Sequence, residues 1–401
     1  MSNARQAEID ALVAAHLAVD PMAAPPPGTL PLAAPSFGAP EVAEAIDSLL
    51  SGWVTMGKKV AAFEAAWAEY VGVKHAVMVN SGSSALLVML AALRETERLA
   101  AGDEVLMPAV SWSTDVFAIA QAGLVPVLVD VDPDTLCIEG HHDRPVLATH
   151  MLGAPSQATS PLLLEDACGA HGAEVGGAKV GSRGHAGVFS FFFSHHLTTV
   201  EGGVVVTSDD ALADACRSVR AHGWVRERHD RARLEAAHAD VDPRFLFVSP
   251  GYNLRPTEIS GAFGIHQIPR LDGFVAQRRA NHADWCARVA ALDLPLRVFP
   301  ETAGTLHAGF AFPMLLDADA PLDRAALCNR LEAQGIATRP ISGSNLARQP
   351  AFPRVPGARV EGPLPVADAI HDRGLFVGNS HAFGDAQGDV LVHALRDAFA
   401  G

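Results

Sequence analysis

The run His75-Ala-Val-Met-Val-Asn80-Ser-Gly-Ser-Ser84-Ala-Leu-Leu-Val-Met-Leu90 decides the fold. An apolar stretch of β-forming residues ends at Asn80. Four small polar residues follow, and Leu86, Leu90 and Leu93 then recur at helical spacing. Strand, turn and helix N-terminus thus adjoin. Free backbone N–H groups and the helix dipole meet at that turn, so Gly82, Ser83 and Ser84 form a candidate phosphate anchor. Taken alone, the same residues also describe an ordinary helix cap.

Outward from this unit, six more short apolar runs alternate with helical segments: Glu104 to Val110, Val125 to Val131, Pro145 to Leu152, Leu162 to Asp166, Gly187 to Phe193 and Gly203 to Thr207. They are apolar throughout rather than alternating, as burial on both faces requires. The pattern predicts an α/β fold with a mostly parallel, seven-stranded sheet. Ahead of it lies an N-terminal helix over 4–19 and a stretch with seven prolines between residues 21 and 40, expected as an extended arm on the surface. Residues 1–40 therefore read as helix and arm, 41–273 as a large ligand-binding domain, and 274–401 as a smaller α+β domain with fewer strands and more turns.

The chain has 401 residues, 49% hydrophobic and 19% charged, with a net charge of −15. That composition suits a globular protein and argues against general affinity for nucleic acid or an anionic membrane. Cys137, Cys168, Cys216, Cys286 and Cys328 are widely spaced with no CxxC pair, which argues against a disulfide framework or a zinc site and suits a reducing cytoplasm. No metal site is expected. The first twenty residues carry Glu8 and Asp10 where a secretory leader needs basic and apolar runs.

Asp166 ends a buried strand, at the carboxyl edge where open α/β sheets bind ligands, and a carboxylate there suits a protonated ring nitrogen. A turn or cap role fits it equally. Trp112, in Pro108-Ala-Val-Ser-Trp-Ser-Thr114, follows another strand and could stack on a flat ring, though an isolated Trp is more often core or interface. A phosphate anchor, a ring-nitrogen carboxylate and a stacking aromatic are what pyridoxal phosphate (PLP) asks of a protein.

The segment Phe189-Ser-Phe-Phe-Phe-Ser-His195-His-Leu-Thr-Thr-Val-Glu-Gly-Gly203 resembles the DegT/DnrJ/EryC/StrS sugar aminotransferase family. The family pattern runs Ser-Phe, three residues, Lys, two residues, Thr, one residue, Gly-Glu-Gly-Gly. Its Lys tethers PLP covalently. Here His195 stands at that Lys, and an imidazole has no primary amine with which to hold the cofactor or transfer it to an amino product. The chain's four lysines, Lys58, Lys59, Lys74 and Lys179, all lie outside the motif.

A His at this place marks the family branch that removes the C3 hydroxyl of nucleotide-linked 4-keto-6-deoxysugars. Similarity is greatest to its members acting on GDP-4-keto-6-deoxy-D-mannose, in deoxysugar routes such as that to colitose for O-antigen. Arg220-Ala-His-Gly-Trp224, Pro250-Gly-Tyr-Asn-Leu-Arg-Pro256, Gly335-Ile-Ala-Thr-Arg-Pro340 and Gly374-Leu-Phe-Val-Gly-Asn379 carry the resemblance from about Ser36 to Asn379. A related CDP-sugar branch holds an iron–sulphur cluster, for which the cysteine spacing here offers no close pair.

The resemblance implies an aspartate-aminotransferase-like (type I PLP) fold and a PLP/pyridoxamine phosphate-dependent 3-dehydratase, a lyase recharged by L-glutamate with release of ammonia. His195 is then expected to move a proton at the cofactor's C4′ carbon, and Asp166 to keep the ring nitrogen protonated. Gly82, Ser83, Ser84 and Ser190 would hold the cofactor, with Trp112 stacking on it. His222 is a candidate acid for the departing hydroxyl, or a histidine at a helix end. Asn253 and Arg255 would cross to a neighbouring subunit, Asn253 toward the cofactor's phosphate and Arg255 toward the nucleotide diphosphate, making a homodimer with shared active sites. Glu201 is expected to be polar and structural, and His196 a neighbour. The same chemistry on a CDP- or dTDP-linked sugar, or a non-catalytic cofactor-binding homologue, are the alternatives.

Overall fold

The computed structural model describes residues 3–19 and 25–400. Helices α1 (Asn3–Val19), α2 (Ala39–Ser51) and α3 (Lys58–Val71) come first. Then β1 (His75–Val79), α4 (Gly82–Glu95), β2 (Glu104–Pro108), α5 (Ser113–Gln121), β3 (Val125–Val129), β4 (Val146–Thr149) and β5 (Leu163–Asp166) follow. A short hairpin, β6 (Glu174–Val175) and β7 (Ala178–Lys179), precedes β8 (Ala186–Ser190), β9 (Gly203–Thr207) and α6 (Asp210–Val219). Helices α7 (Arg231–Ala237), α8 (Glu258–Ile265) and α9 (Leu271–Ala290) lead to β10 (Leu296–Val298), β11 (Thr305–Leu306) and β12 (Ala311–Leu316). The chain closes with α10 (Arg324–Glu332), β13 (Thr338–Pro340), β14 (Arg359–Val360), α11 (Pro365–Arg373), β15 (Gly374–Gly378) and α12 (Asp385–Ala400).

All seven expected strands pair in one sheet, in the order β1-β9-β8-β5-β4-β2-β3, and β14 adds an eighth at the β3 edge. Only β9 runs against the rest. Apolar residues cover both faces, as the unbroken apolar runs require. Leu86, Met89 and Leu90 of α4 pack on one face, and Phe63, Trp67, Phe189 and Phe191 on the other. A second, antiparallel sheet, β10-β12-β15-β13, packs with α9, α10 and α12.

The eighth strand departs from the sequence expectation. Arg359–Val360 is too short to show a pattern, and charge rather than periodicity holds it to the sheet: Arg359 Nη2 lies 2.8 Å from Glu104 Oε2, Arg144 Nη1 lies 2.7 Å from the same oxygen, and Glu361 pairs with both arginines. The proline-rich arm differs as well. Residues 20–24 lie outside the described part, but Leu30 is fully buried in the core of the smaller sheet, and its backbone exchanges hydrogen bonds with Gly335 and Ala337. The arm is a packed strap rather than a surface connector, because its apolar residues Leu30 and Ala34 join the core of the smaller sheet.

Candidate active site

Five of the parallel strands end on the same edge, and the residues just beyond β1, β2, β4, β5 and β8 surround a cavity of about 540 Å³. β4 and β5 pair in register Thr149 to Asp166, and β5 and β8 pair Asp166 to Val188, which fixes Asp166 beside the end of β8.

After β1 the chain turns into α4. Ser81 caps the helix, its hydroxyl accepting from the Ser84 amide at 3.1 Å. The Ala85 amide bonds back to the Ser81 carbonyl. The amides of Gly82 and Ser83, both cavity residues, are left without intrahelical acceptors. Glycine is required at 82: a Cβ there would sit 2.6 Å from Ser190 Cβ and 3.1 Å from Cys168 Sγ. This close approach sets the helix N-terminus directly against Ser190, a phosphate-sized cradle of small residues.

His195 follows β8 in a turn whose amide bonds to the Phe192 carbonyl at 3.0 Å. Its ring lies edge-on to Phe310, with centroids 5.1 Å apart, and Nδ1 is buried without a partner among the described residues. Burial, and secondly the charge of Arg278, pull its pKa down to about 3, so the ring is neutral at pH 7. Arg278 is itself fully buried, donating to the Phe310 and Asn379 carbonyls, and burial lowers its own pKa to about 9. Behind the motif, His171 Nε2 lies 2.9 Å from the Ser190 carbonyl, and His196 Nε2 lies 2.9 Å from that of Ala308.

Asp166 is buried; its Oδ1 accepts from the Cys168 amide at 2.9 Å. Beneath the same edge His150 accepts from the Ser156 amide through Nδ1, at 3.0 Å. It therefore presents Nε2 to Glu165 Oε1, 3.2 Å away. Burial pushes Glu165 up, but the His150 contact and the Gly184 amide outweigh it, leaving that carboxyl below its ordinary range.

Of the residues singled out from sequence, Gly82, Ser83, Trp112, Asp166, Ser190 and His195 line this cavity together. Ser84 does not: its hydroxyl donates to Asn80 Oδ1 at 2.6 Å. His222, Asn253 and Arg255 also stand outside it. His222 is exposed with φ 65°, just beyond the end of α6, and donates its amide to the Tyr252 carbonyl. Arg255 lines a separate hollow with Arg217, Trp224 and Glu227, and its Nε donates to Asn253 Oδ1 at 3.1 Å. The Leu254 carbonyl between them accepts from the Asn80 amide, which ties this segment to the α4 turn.

Several lining residues had been assigned no role from sequence: Asp115, Thr149, His150, Phe310 and Arg339. Thr149 and His150 interrupt the apolar run Pro145 to Leu152 with polar side chains, a signal that could have found them. Arg339, exposed on β13, donates to its neighbour's carbonyl and has no carboxylate partner among the described residues. Glu201 lines the cavity too. Among the described residues no cluster of three or more His, Cys, Asp or Glu could hold a metal ion, and no helix is long and apolar enough to cross a membrane.

The donor set fits PLP: a glycine-permitted helix N-terminus for a phosphate, a buried carboxylate, and a neutral imidazole with an orphaned nitrogen. Residues 35–396 match the DegT/DnrJ/EryC1/StrS aminotransferase family. The chain is 37% identical over 372 residues to a GDP-4-keto-6-deoxy-D-mannose 3-dehydratase of Yersinia pseudotuberculosis, covering 87% of this chain and 93% of that protein. A GDP-4-keto-6-deoxymannose-3-dehydratase solved as a His-to-Asn variant with GDP-perosamine bound superposes with a TM-score of 0.84 at 33% identity, covering 92% of this chain and all of that one. The E. coli GDP-4-keto-6-deoxy-D-mannose-3-dehydratase solved with hydrated PLP gives a TM-score of 0.84 at 33% identity, with 92% and 99% covered.

Proposed function

The chain belongs to the DegT/DnrJ/EryC1/StrS aminotransferase family, and from that premise we propose that it is a PLP-dependent 3-dehydratase of a nucleotide-linked 4-keto-6-deoxyhexose, with GDP-4-keto-6-deoxy-D-mannose as substrate and L-glutamate as amino donor. One observation carries the reading. His195, at the place where the family pattern has its lysine, lines the cavity, and no lysine among the described residues lines it. Lys59 is held by Glu44 and Asp47, Lys74 by Asp210 and Lys179 by Glu174.

Bound in this cavity, the cofactor supplies an electron-withdrawing ring that makes a neighbouring C–H acidic and lets a hydroxyl leave. The chain's own residues do the rest. The Gly82 and Ser83 amides and the Ser190 hydroxyl would hold the phosphate, Asp166 would face the ring nitrogen, and Trp112 would cover the ring. Neutral His195 accepts a proton at the cofactor's C4′ carbon and returns it, a task imidazole performs near neutrality. Having no amine, it cannot displace the sugar as a stable amino product, so nitrogen leaves as ammonia. Arg339, with no carboxylate partner among the described residues, is suited to an anionic group of substrate or donor.

His222, Asn253, Arg255 and Ser84 do not complete the cavity within one chain. For Asn253 and Arg255, and with them His222, we assign the role to the neighbouring site of a homodimer. Exposed Trp53, Phe192, Phe193 and Val200 offer apolar surface for that contact. Ser84 keeps a supporting role through Asn80.

The test is to incubate the protein with PLP, glutamate and GDP-4-keto-6-deoxymannose, with CDP- and dTDP-linked 4-ketohexoses in parallel, and to weigh the products by mass spectrometry. A GDP-sugar one oxygen lighter is expected. Preferential turnover of another nucleotide would move the substrate assignment, and no turnover of any would favour a non-catalytic role.

A further inference from the structure

Asp115, in the first turn of α5, has no exposed surface and yet lines the cavity with Asp166. Its two oxygens differ sharply. Oδ2 accepts from Thr149 Oγ1 at 2.8 Å and from Ser111 Oγ. Oδ1 is buried and has no donor among the described residues. An ionised carboxylate in that setting leaves a charge-bearing oxygen stripped of water and unpaired, which burial penalises heavily. The Asp166 carboxyl lines the same cavity as a like-charged neighbour of Asp115, and it can only accept while ionised. A proton on Asp115 Oδ1 resolves both difficulties, converting an orphaned acceptor into a donor and two facing like charges into one hydrogen bond.

We propose that Asp115 is held as a neutral carboxylic acid whose Oδ1 donates to Asp166, so that the two carboxyl groups together carry a single negative charge in the cavity. Burial, and then the Asp166 charge, both push Asp115 well above the ordinary carboxylate range. The two hydroxyl donors, Ser111 and Thr149, pull the other way and are outweighed.

The consequence rests on the cofactor reading above, in which Asp166 faces the ring nitrogen. One shared negative charge matches one protonated ring nitrogen, whereas two ionised carboxylates would leave an excess charge buried. The donated bond would also fix the orientation of the Asp166 carboxyl toward that nitrogen. Asp115 acts through Asp166 and is a positioning residue.

Difference infrared spectra of the full-length chain at neutral pH, unaltered against Asp115→Asn, test the shared proton without any turnover. The unaltered chain is expected to show the C=O stretch of a protonated carboxylic acid that Asp115→Asn lacks and that Ser111→Ala shifts. Absence of that band overturns the proposal. The Asn amide can donate to Asp166 while its oxygen accepts from Ser111 and Thr149. Asp115→Asn should therefore bind PLP within about threefold of the unaltered chain, and ring-labelled PLP should keep the nitrogen-15 shift of a protonated pyridine. A folded Asp115→Asn chain that loses more than about tenfold in affinity, or whose bound ring nitrogen is unprotonated, also overturns it. Should Asp115→Asn fail to fold, the band's presence in the unaltered chain and its shift in Ser111→Ala decide. If the unaltered chain does not bind PLP, the cofactor reading fails and takes the ring-nitrogen role with it, while the infrared band still reports on the pair.

Discussion

In the proposed reaction, His195 is the residue on which the chemistry turns. Its ring stands neutral because burial and Arg278 disfavour the imidazolium, so it is set to accept a proton and to give it back. Replacing it by Asn removes the base but leaves the phosphate cradle, so turnover should fall by about 10²–10⁴-fold while PLP affinity, measured by equilibrium dialysis, is retained. Equal losses of both would assign His195 to binding alone. Arg339→Gln removes an unpaired guanidinium from the cavity; KM for the nucleotide sugar or for glutamate should rise by about tenfold, the worth of one charge-assisted contact, with kcat little changed. His195 was legible in the sequence because a motif of fixed spacing surrounds it. Arg339 sat in plain view within Gly335-Ile-Ala-Thr-Arg-Pro340, but nothing local says that β13 of the second sheet faces the ends of the first. Asp115 was hidden for another reason: an acidic residue in a first helical turn is ordinary, and only the tertiary contact with Thr149 and Asp166 makes it unusual.

At the scale of elements, the proposed cofactor binding rests on the turn from β1 into α4. Gly82→Ala places a methyl against Ser190 and Cys168, neither of which is the far end of a flexible chain. PLP affinity should fall by at least about tenfold, equivalent to about 1.4 kcal/mol, with the far-ultraviolet circular dichroism unchanged. The neighbouring loop holds a second conformational point. Val200 has φ 70° and is exposed, a left-handed conformation costly for a β-branched side chain, at a place where the family pattern has glycine. Val200→Gly should therefore raise the melting free energy by about 1 kcal/mol; a destabilised variant would mean that the valine side chain gains more from a contact than its backbone loses. The seven long strands were readable because burial on both faces leaves an unbroken apolar signature. The two-residue β14 was not, since its place is fixed by Glu104, Arg144 and Glu361, residues far apart in sequence.

Over the whole molecule, several histidines are buried in the neutral state. Burial lowers the pKa of His171, His196 and His307 well below the ordinary 6.5, and that of His195 to about 3. The unfolded chain takes up these protons near 6.5 and the folded chain only far below it. Their contribution to stability is thus complete above about 6.5 and is lost progressively as the pH falls toward 3. The melting temperature, followed by circular dichroism, should decline steadily below about pH 6.5; a flat profile down to about pH 4 would contradict the neutral assignment. The packed arm also belongs to this scale, for Leu30 is one of several apolar residues in a proline- and alanine-rich tract and only the finished second sheet supplies its slot.

The central claim is that this site removes oxygen from a sugar and never installs nitrogen. Following the label from nitrogen-15 glutamate through the complete reaction tests it most directly. The label is predicted to appear in free ammonia, with none in the sugar product. Recovery of the label in a stable 4-amino sugar would contradict the account.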